Sequence, residues 1–518
     1  MATATAKPIL SAVGNDGIVV DGIAEEDLFK HTSHRWVYDE ERRLAERYLK
    51  FNVQELLKAA VAAVSGTGAT RCTKVLRCKE GFSNKALLLE MDNGVEIFAK
   101  LPNPSAGPAF YTTASEVATR TFLREALDLP IPQILAWSAD RNNPVGAEYI
   151  IEEKAPGKPL SNFWPDLAAW PLERRFPLMR SIVEVEWKLA SILFAKSGCI
   201  YFRKDIPGSE ALETITPMPL AFRKRFTMGP LVARELWKGE KEGMDLNRGP
   251  FEGSYGVATE VAKNEIKFIK EHGRPRIVPA LSLTEPESPD RMLDLLDHYL
   301  KLVPAMAPPE EAEDAHSPTL WHTDLHSNNV FVDPVSKKIT RILDWQSASI
   351  LPFFAKCSVP PLFRDSEPID PHTLPKRPAN YSSLEPHIKK YIDDNIALEM
   401  IHRHYIDMTS KKNVRHFVAL ALHNDDDVRL KPAAIVQSVW EKRDVFFFQR
   451  ALMRIVDRWG ELCPGKGPCP VRFSLEEMAM YAREEGNRKA VVKLYTMVHD
   501  AWGLSREGSI DPGRFEEV

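Results

Sequence analysis

Trp321-His322-Thr323-Asp324-Leu325-His326-Ser327-Asn328-Asn329-Val330-Phe331-Val332-Asp333 is the stretch that decides the reading of this chain, together with Ile342-Leu343-Asp344-Trp345-Gln346 just beyond it. Between Asn329 and Asp344 lie two short apolar runs, Val330–Val332 and Ile339–Leu343, and Asp333-Pro334 opens a turn between them. A hairpin of that length returns the chain to its starting point. Asn329 and Asp344 then sit side by side at its base, with Asp324 close by on the preceding loop. An i,i+4 histidine pair such as His322 and His326 suggests zinc only on a helix with further ligands, and here the following strand argues for a loop.

Three oxygen-bearing side chains converging on one point suit phosphoryl transfer. That chemistry asks the protein for little covalent work. It needs a divalent metal to neutralise phosphate charge and a group that orients the attacking hydroxyl and takes its proton. Mg²⁺ prefers oxygen ligands and takes one or two of them from protein.

The pattern His322-x-Asp324-x₄-Asn329, followed by Ile342-Leu343-Asp344-Trp345, resembles the signature of aminoglycoside phosphotransferases and choline kinases. That resemblance implies an α+β, protein-kinase-like bilobal fold with a β-rich N-terminal lobe and a larger, mostly helical C-terminal lobe. It implies Asp324 as catalytic base, Asn329 and Asp344 as Mg²⁺ ligands, and His322 as a brace for the loop, while His326 is read as satisfying loop backbone. ATP and Mg²⁺ are the implied cofactors, and a small-molecule hydroxyl is the implied acceptor. A non-catalytic nucleotide-binding scaffold is the alternative; retention of Lys100, Asp324, Asn329 and Asp344 together argues against it. A protein kinase is disfavoured because Trp345-Gln346 stands where Phe-Gly would, and no Ala-Pro-Glu element follows.

Outward from the hairpin, residues 51–153 read as the N-terminal nucleotide-binding lobe. Val53–Val64 and Ser115–Leu127 have helical patterns. Lys74–Cys78, Ala86–Met91, Val95–Leu101, Gln133–Ser138 and Glu148–Glu152 read as strands, with Asp92-Asn93-Gly94 as a turn. The turn Glu80-Gly81-Phe82-Ser83-Asn84 is the candidate phosphate cover, with Gly81 admitting the ligand and Ser83 and Asn84 donating hydrogen bonds. Lys100 ends a strand and Glu116 comes early in the next helix, the kinase pairing that fixes the α/β-phosphates; Glu125 on the same helix competes with Glu116. Tyr149 to Gly157 is the candidate hinge, where backbone groups around Glu153 and Ala155 would read the adenine edge.

Residues 154–518 read as the helical lobe, with the catalytic loop at 321–346 and a helical extension at 385–502. In 171–196, Leu178, Ile182, Val185, Leu189 and Ile192 form one apolar stripe. Arg291–Leu302 is a further helix and Pro304–Pro318 a linker, while 230–260 resists assignment. Residues 1–50 are an N-terminal extension, partly flexible, whose first fifteen residues read as an untargeted tail. Asp393-Asp394 and Asp425-Asp426-Asp427 read as solvated helix ends or loops rather than as a subsite for a cationic acceptor.

Composition narrows the partners. The 68 basic and 72 acidic residues leave a net charge of −4, too even for a nucleic-acid or membrane-surface binder. Apolar residues make up 44%, ample for a large core, yet no apolar run approaches a membrane span. The six cysteines lack CxxC spacing and read as reduced thiols. A cytoplasmic location follows from the unremarkable N-terminus. The branch of the family that the chain resembles most, fungal proteins that include altered inheritance of mitochondria protein 9, makes a mitochondrial address the alternative. The Gly229-Pro230, Arg248-Gly249-Pro250-Phe251 and Glu461-Leu462-Cys463-Pro464 elements carry that likeness.

Overall fold

A computed structural model describes residues 7–517 apart from 15–16, 164–171, 283, 309–312, 323, 365–372, 423–427, 503–508 and 511. In the N-terminal half the strands are β1 (Ile9–Val13), β2 (Val19–Asp21), β3 (Arg35–Trp36), β4 (Cys72–Arg77), β5 (Asn84–Met91), β6 (Glu96–Pro102), β7 (Ile134–Ser138) and β8 (Tyr149–Glu153). All but β3 form one seven-stranded sheet in the order β2-β1-β4-β5-β6-β8-β7. Period-two alternation gives the sheet one buried face: Leu87, Leu89 and Met91 on β5 and Ile97, Ala99 and Leu101 on β6 point inward. Helix Val53–Ala63 covers that face with Val53, Leu56, Leu57 and Ala60, and the Asn52 side chain caps it by accepting the Glu55 N–H at 3.2 Å.

Lys100 has the opposite parity to Ile97, Ala99 and Leu101. It therefore leaves the other face of β6, where helix Tyr111–Leu127 crosses the sheet.

The structure departs from the sequence reading at the N-terminus. The segment expected to be a flexible tail is, from Ile9 on, part of the sheet: β1 runs parallel to β4, with Ile9 beside Lys74 and Leu10 beside Val75. Residues 24–50 pack beneath the same sheet, with Leu28 and Phe29 buried and the Phe29 ring edge-on to Phe51 at 5.0 Å.

The C-terminal lobe carries β9 (Lys158–Pro159), β10 (Cys199–Phe202), β11 (Phe226–Gly229), β12 (Pro318–Trp321), β13 (Val330–Val332), β14 (Ile339–Ile342) and β15 (Ser349–Pro352) among long helices. Helix Leu172–Ala190 buries Leu178, Ile182, Val185 and Leu189 as its apolar spacing predicts. Helix Pro289–Met306 runs four residues past the expected end, through Pro304, so the expected Pro304–Pro318 linker is shorter. The unassigned 230–260 stretch is mostly irregular and ends in helix Gly256–His272. A last strand, β16 (Ser509–Ile510), pairs antiparallel with β3 and joins the two ends of the chain. None of the six cysteines is in a disulfide. Among the described residues no helix is long and apolar enough to cross a membrane.

One buried carboxyl in this lobe sets a pH dependence. Glu186 is 2% exposed, and its nearest polar partner is the Tyr405 hydroxyl, which donates to Oε2 at 2.7 Å. Burial pushes the Glu186 carboxyl up to about 8, with the Tyr405 hydrogen bond opposing. A carboxyl raised in the folded state favours the fold while protonated. Stability is therefore full below the ordinary glutamate range and falls as pH rises towards 8. Glu186→Gln keeps an acceptor for Tyr405 without the charge. Denaturant titrations at pH 6 and pH 8.5 should show the wild type losing on the order of a few kcal/mol between them, and the variant much less.

Candidate active site

The site assembles around the hairpin because its base is stitched shut. The Leu343 N–H donates to the Asn329 carbonyl at 2.8 Å, and Val330 lies opposite Ile342, so Asn329 and Asp344 emerge together from the paired ends. The inward faces of the strands, Val330, Val332 and Ile342, are buried in the lobe's core. The Trp345 ring is buried too, and its indole N–H donates to the Ile342 carbonyl at 3.1 Å.

His322 acts as the brace expected of it. The Asp324 N–H donates to Nδ1 at 3.1 Å, which makes Nδ1 an acceptor, so Nε2 carries the proton given to the Leu343 carbonyl at 2.9 Å. Burial holds its pKa below the usual histidine range, in keeping with this neutral ring. Both nitrogens are engaged, which leaves neither for a metal. The Trp345 ring packs edge-on against it at 4.6 Å.

Asn329 Nδ2 donates to the Asp324 carbonyl at 2.9 Å, which turns its amide oxygen towards the open side of the loop. The Asp324 carboxylate is 57% exposed, with Oδ2 3.4 Å from His326 Nε2. His326 does serve backbone, accepting the Asn328 N–H at 3.1 Å, but it also faces Asp324 and Asn329.

Lys100 reaches this hairpin from the other lobe. Its Nζ lies 3.0 and 2.9 Å from the two Glu116 oxygens and 3.3 Å from Asp344 Oδ1. Burial opposes its charge, but Glu116 and then Asp344 outweigh burial and hold the ammonium above the ordinary lysine range. For Asp344 burial again opposes ionisation, and Lys100 outweighs it and brings the carboxyl below the usual range. Asp344 sits at φ 58°, a left-handed conformation that Asp tolerates better than most residues.

Sequence reasoning left Glu116 and Glu125 in competition. Glu125 pairs with Arg225 on the surface, whereas Glu116 is buried under Lys100. It missed Arg120, one helical turn beyond Glu116 and 3% exposed. Arg120 Nη1 lies 3.5 Å from Glu116, and its other amine pairs with Glu152 on β8 and donates to the Pro132 carbonyl at 3.1 Å. The i,i+4 spacing of Glu116 and Arg120 was the available signal.

In the turn between β4 and β5, a Cβ built on Gly81 meets no protein atom within 4 Å. The fold itself therefore leaves room there. The Ser83 carbonyl accepts the Asn103 N–H at 2.8 Å. The Asn84 side chain crosses to the other lobe and donates to Gln346 Oε1 at 2.8 Å. At the hinge the Glu153 N–H already donates to the Gln133 carbonyl at 2.9 Å, and its carboxylate takes Arg341 Nε at 2.5 Å. Of the backbone groups expected to read the adenine edge, the Glu153 N–H is thus engaged within the sheet; Ala155 is half-buried beside it. Just beyond, Gly157 has φ 92°, and a Cβ there would run into the Val332 carbonyl, so the hinge passes flush against β13 only as glycine. Thr340 Oγ1 donates to the Pro156 carbonyl at 2.6 Å, and β9 pairs with β13, binding hinge to hairpin.

The acidic pairs fall away from this cluster. Asp393 is held by Arg377 and Tyr381, and Asp394 by Lys390, as on a solvated helix face. Asp425-Asp426-Asp427 lies outside the described residues.

The family described as Phosphotransferase enzyme family matches residues 271–355, the segment that contains the hairpin. A subtelomeric hrmA-associated cluster protein of Aspergillus fumigatus is 29% identical over 485 residues, 86% of this chain and 91% of its own length. Altered inheritance of mitochondria protein 9, mitochondrial, of Candida tropicalis is 26% identical over 296 residues, 53% of this chain and 47% of that protein. Among solved structures, a thermostable mutant of aminoglycoside phosphotransferase APH(4)-Ia in ternary complex with AMP-PNP and hygromycin B aligns at 13% identity and TM-score 0.36, over 80% of this chain and all of that one. The chain thus resembles the Phosphotransferase enzyme family over the hairpin segment and, over more of its length, fungal proteins that include altered inheritance of mitochondria protein 9.

Proposed function

We propose that this protein is an ATP-dependent phosphotransferase that moves the γ-phosphate onto a hydroxyl of a small-molecule acceptor. The observation that carries the proposal is the convergence of Lys100, Glu116 and Asp344 across the cleft, at the mouth of the hairpin that presents Asp324 and Asn329. In this reading Lys100, oriented by Glu116 and Arg120, holds the α/β-phosphates. Gly81, Ser83 and Asn84 cover the phosphates from above. Backbone at the Glu153 carbonyl and Ala155 meets the adenine. The free amide oxygen of Asn329 and the half-exposed carboxylate of Asp344 fit Mg²⁺, which accepts few protein oxygens and takes the rest from phosphate and water. Bound there, the metal would neutralise charge on the transferring phosphate. Asp324, with its carboxylate 57% exposed, orients the acceptor hydroxyl and takes its proton.

The mitochondrial label of the Candida relative favours a mitochondrial address over the cytoplasmic one expected from the N-terminus.

Thermal unfolding with and without ATP–Mg²⁺ tests the nucleotide reading. At a hundredfold excess over Kd the ligand should add about 2.7 kcal/mol. Lys100→Met removes a charge-assisted contact to phosphate, and affinity should fall about 10- to 100-fold. No shift with any nucleotide in the presence of Mg²⁺ or Mn²⁺ would refute the proposal.

A further inference from the structure

The turn that covers the proposed phosphate site is not free-standing. Lys85 lies on β5 with the same parity as Leu87, Leu89 and Met91, so its side chain enters the core and is fully buried. There its Nζ meets Glu80 Oε1 at 3.0 Å and donates to the Lys30 carbonyl at 2.6 Å. Glu80, 4% exposed, puts its second oxygen 3.2 Å from the ring of buried His31, and its N–H donates to Ser33 Oγ at 3.1 Å. At the tip the Phe82 ring stacks on His34 at 4.6 Å, with the Arg47 guanidinium 5.7 Å above it. Arg77, at the end of β4, donates to the Asp27 carbonyl. Apart from the Glu80–Lys85 pair itself, every one of these partners lies in residues 27–47, ahead of the lobe proper.

Burying Glu80 and Lys85 is costly unless each has its partner in place. Lys30, His31 and Ser33 complete that set, so the turn and the N-terminal segment hold one another in a single arrangement. The segment is anchored in turn: β3 pairs with β16, and the Arg35 guanidinium lies 3.5 Å over the Phe515 ring.

We propose that residues 27–47 are an integral part of the nucleotide site, a clasp that fixes the phosphate-covering turn, with Glu80 and His34 as positioning residues. The proposal rests on the phosphotransferase reading for its ligand but not for its geometry. The clasp orders Gly81, Ser83 and Asn84 before the nucleotide arrives, so that binding does not have to order them.

Hydrogen–deuterium exchange of residues 78–84 in the nucleotide-free protein tests the geometry; ATP–Mg²⁺ affinity tests its use. His34→Ala removes the stack on Phe82 without touching the buried charges. It should speed exchange in the turn and weaken ATP–Mg²⁺ about 2- to 10-fold. His34→Phe should restore both. Glu80→Gln, which leaves Lys85 without its counter-ion, should loosen the turn further; if it fails to fold, the His34 pair decides. Unchanged exchange and affinity in His34→Ala overturn the clasp, and so does a loss that His34→Phe does not restore. If the wild type binds no nucleotide at all, the phosphotransferase reading falls, while the exchange measurement still judges the clasp.

Discussion

Asp324→Asn should lower phosphate transfer to an acceptor hydroxyl by about 10²- to 10⁴-fold, the usual contribution of a positioned general base. It should leave ATP–Mg²⁺ affinity near that of the wild type. The reason lies in how the loop is held. Its anchoring hydrogen bonds use Asp324 backbone: the N–H donates to His322 Nδ1, and the carbonyl accepts from Asn329 Nδ2 and the His326 N–H. Among the described residues the carboxylate, 57% exposed, has only the long contact with His326. Exchanging one oxygen for an amide therefore removes the base without dismantling the loop. The comparison to make is kcat and Kd for ATP on purified wild type and variant. Turnover near the wild-type value in Asp324→Asn removes Asp324 from the role of base.

Asp344→Asn should make nucleotide binding nearly indifferent to Mg²⁺, a loss of metal-dependent affinity of at least about 100-fold. Asparagine is the informative replacement because the position has φ 58°, which Asn tolerates and Ala resists. The fold should survive. The backbone bond that closes the hairpin belongs to Leu343, and Trp345 rather than Asp344 fills the core. Lys100 loses one of two neighbouring carboxylates and keeps Glu116. Calorimetric titration of ATP with and without Mg²⁺ separates the outcomes. A variant that unfolds, paired with a wild type whose binding ignores metal, makes Asp344 a structural residue.

The hairpin was legible because its chemistry and its geometry are local. Fourteen residues lie between Asn329 and Asp344, two apolar runs flank a turn, and pairing them leaves little freedom. Lys100 was legible as a strand-end lysine and Glu116 as an early helical acid, but their contact spans two elements; it became readable only beside the hairpin. What escaped was long-range. Nothing near Glu80 in sequence indicates that His31 and Ser33 will enclose it, although Lys85, in step with Leu87, Leu89 and Met91, did carry a signal of a buried charge. β1 was read as tail and β2 only as part of a partly flexible extension because they lie at the sheet's edge, where Ile9 and Val19–Asp21 stay exposed and no inward alternation develops. The 230–260 stretch resisted because it is held by its surroundings rather than by its own period, as where buried Lys241 donates to Glu265 Oε1 at 2.5 Å and to Ser438 Oγ at 3.1 Å.

The central claim is transfer, and the most direct measurement follows the γ-phosphate of labelled ATP with amino sugars, choline and simple sugars offered as acceptors. A Mg²⁺-dependent phosphate monoester on an acceptor hydroxyl, formed by the wild type and reduced about 10²-fold or more in Asp324→Asn, is the predicted result. Nucleotide bound in the presence of Mg²⁺, with no label in any acceptor and no difference between wild type and Asp324→Asn, would contradict it and leave a nucleotide-binding scaffold in its place.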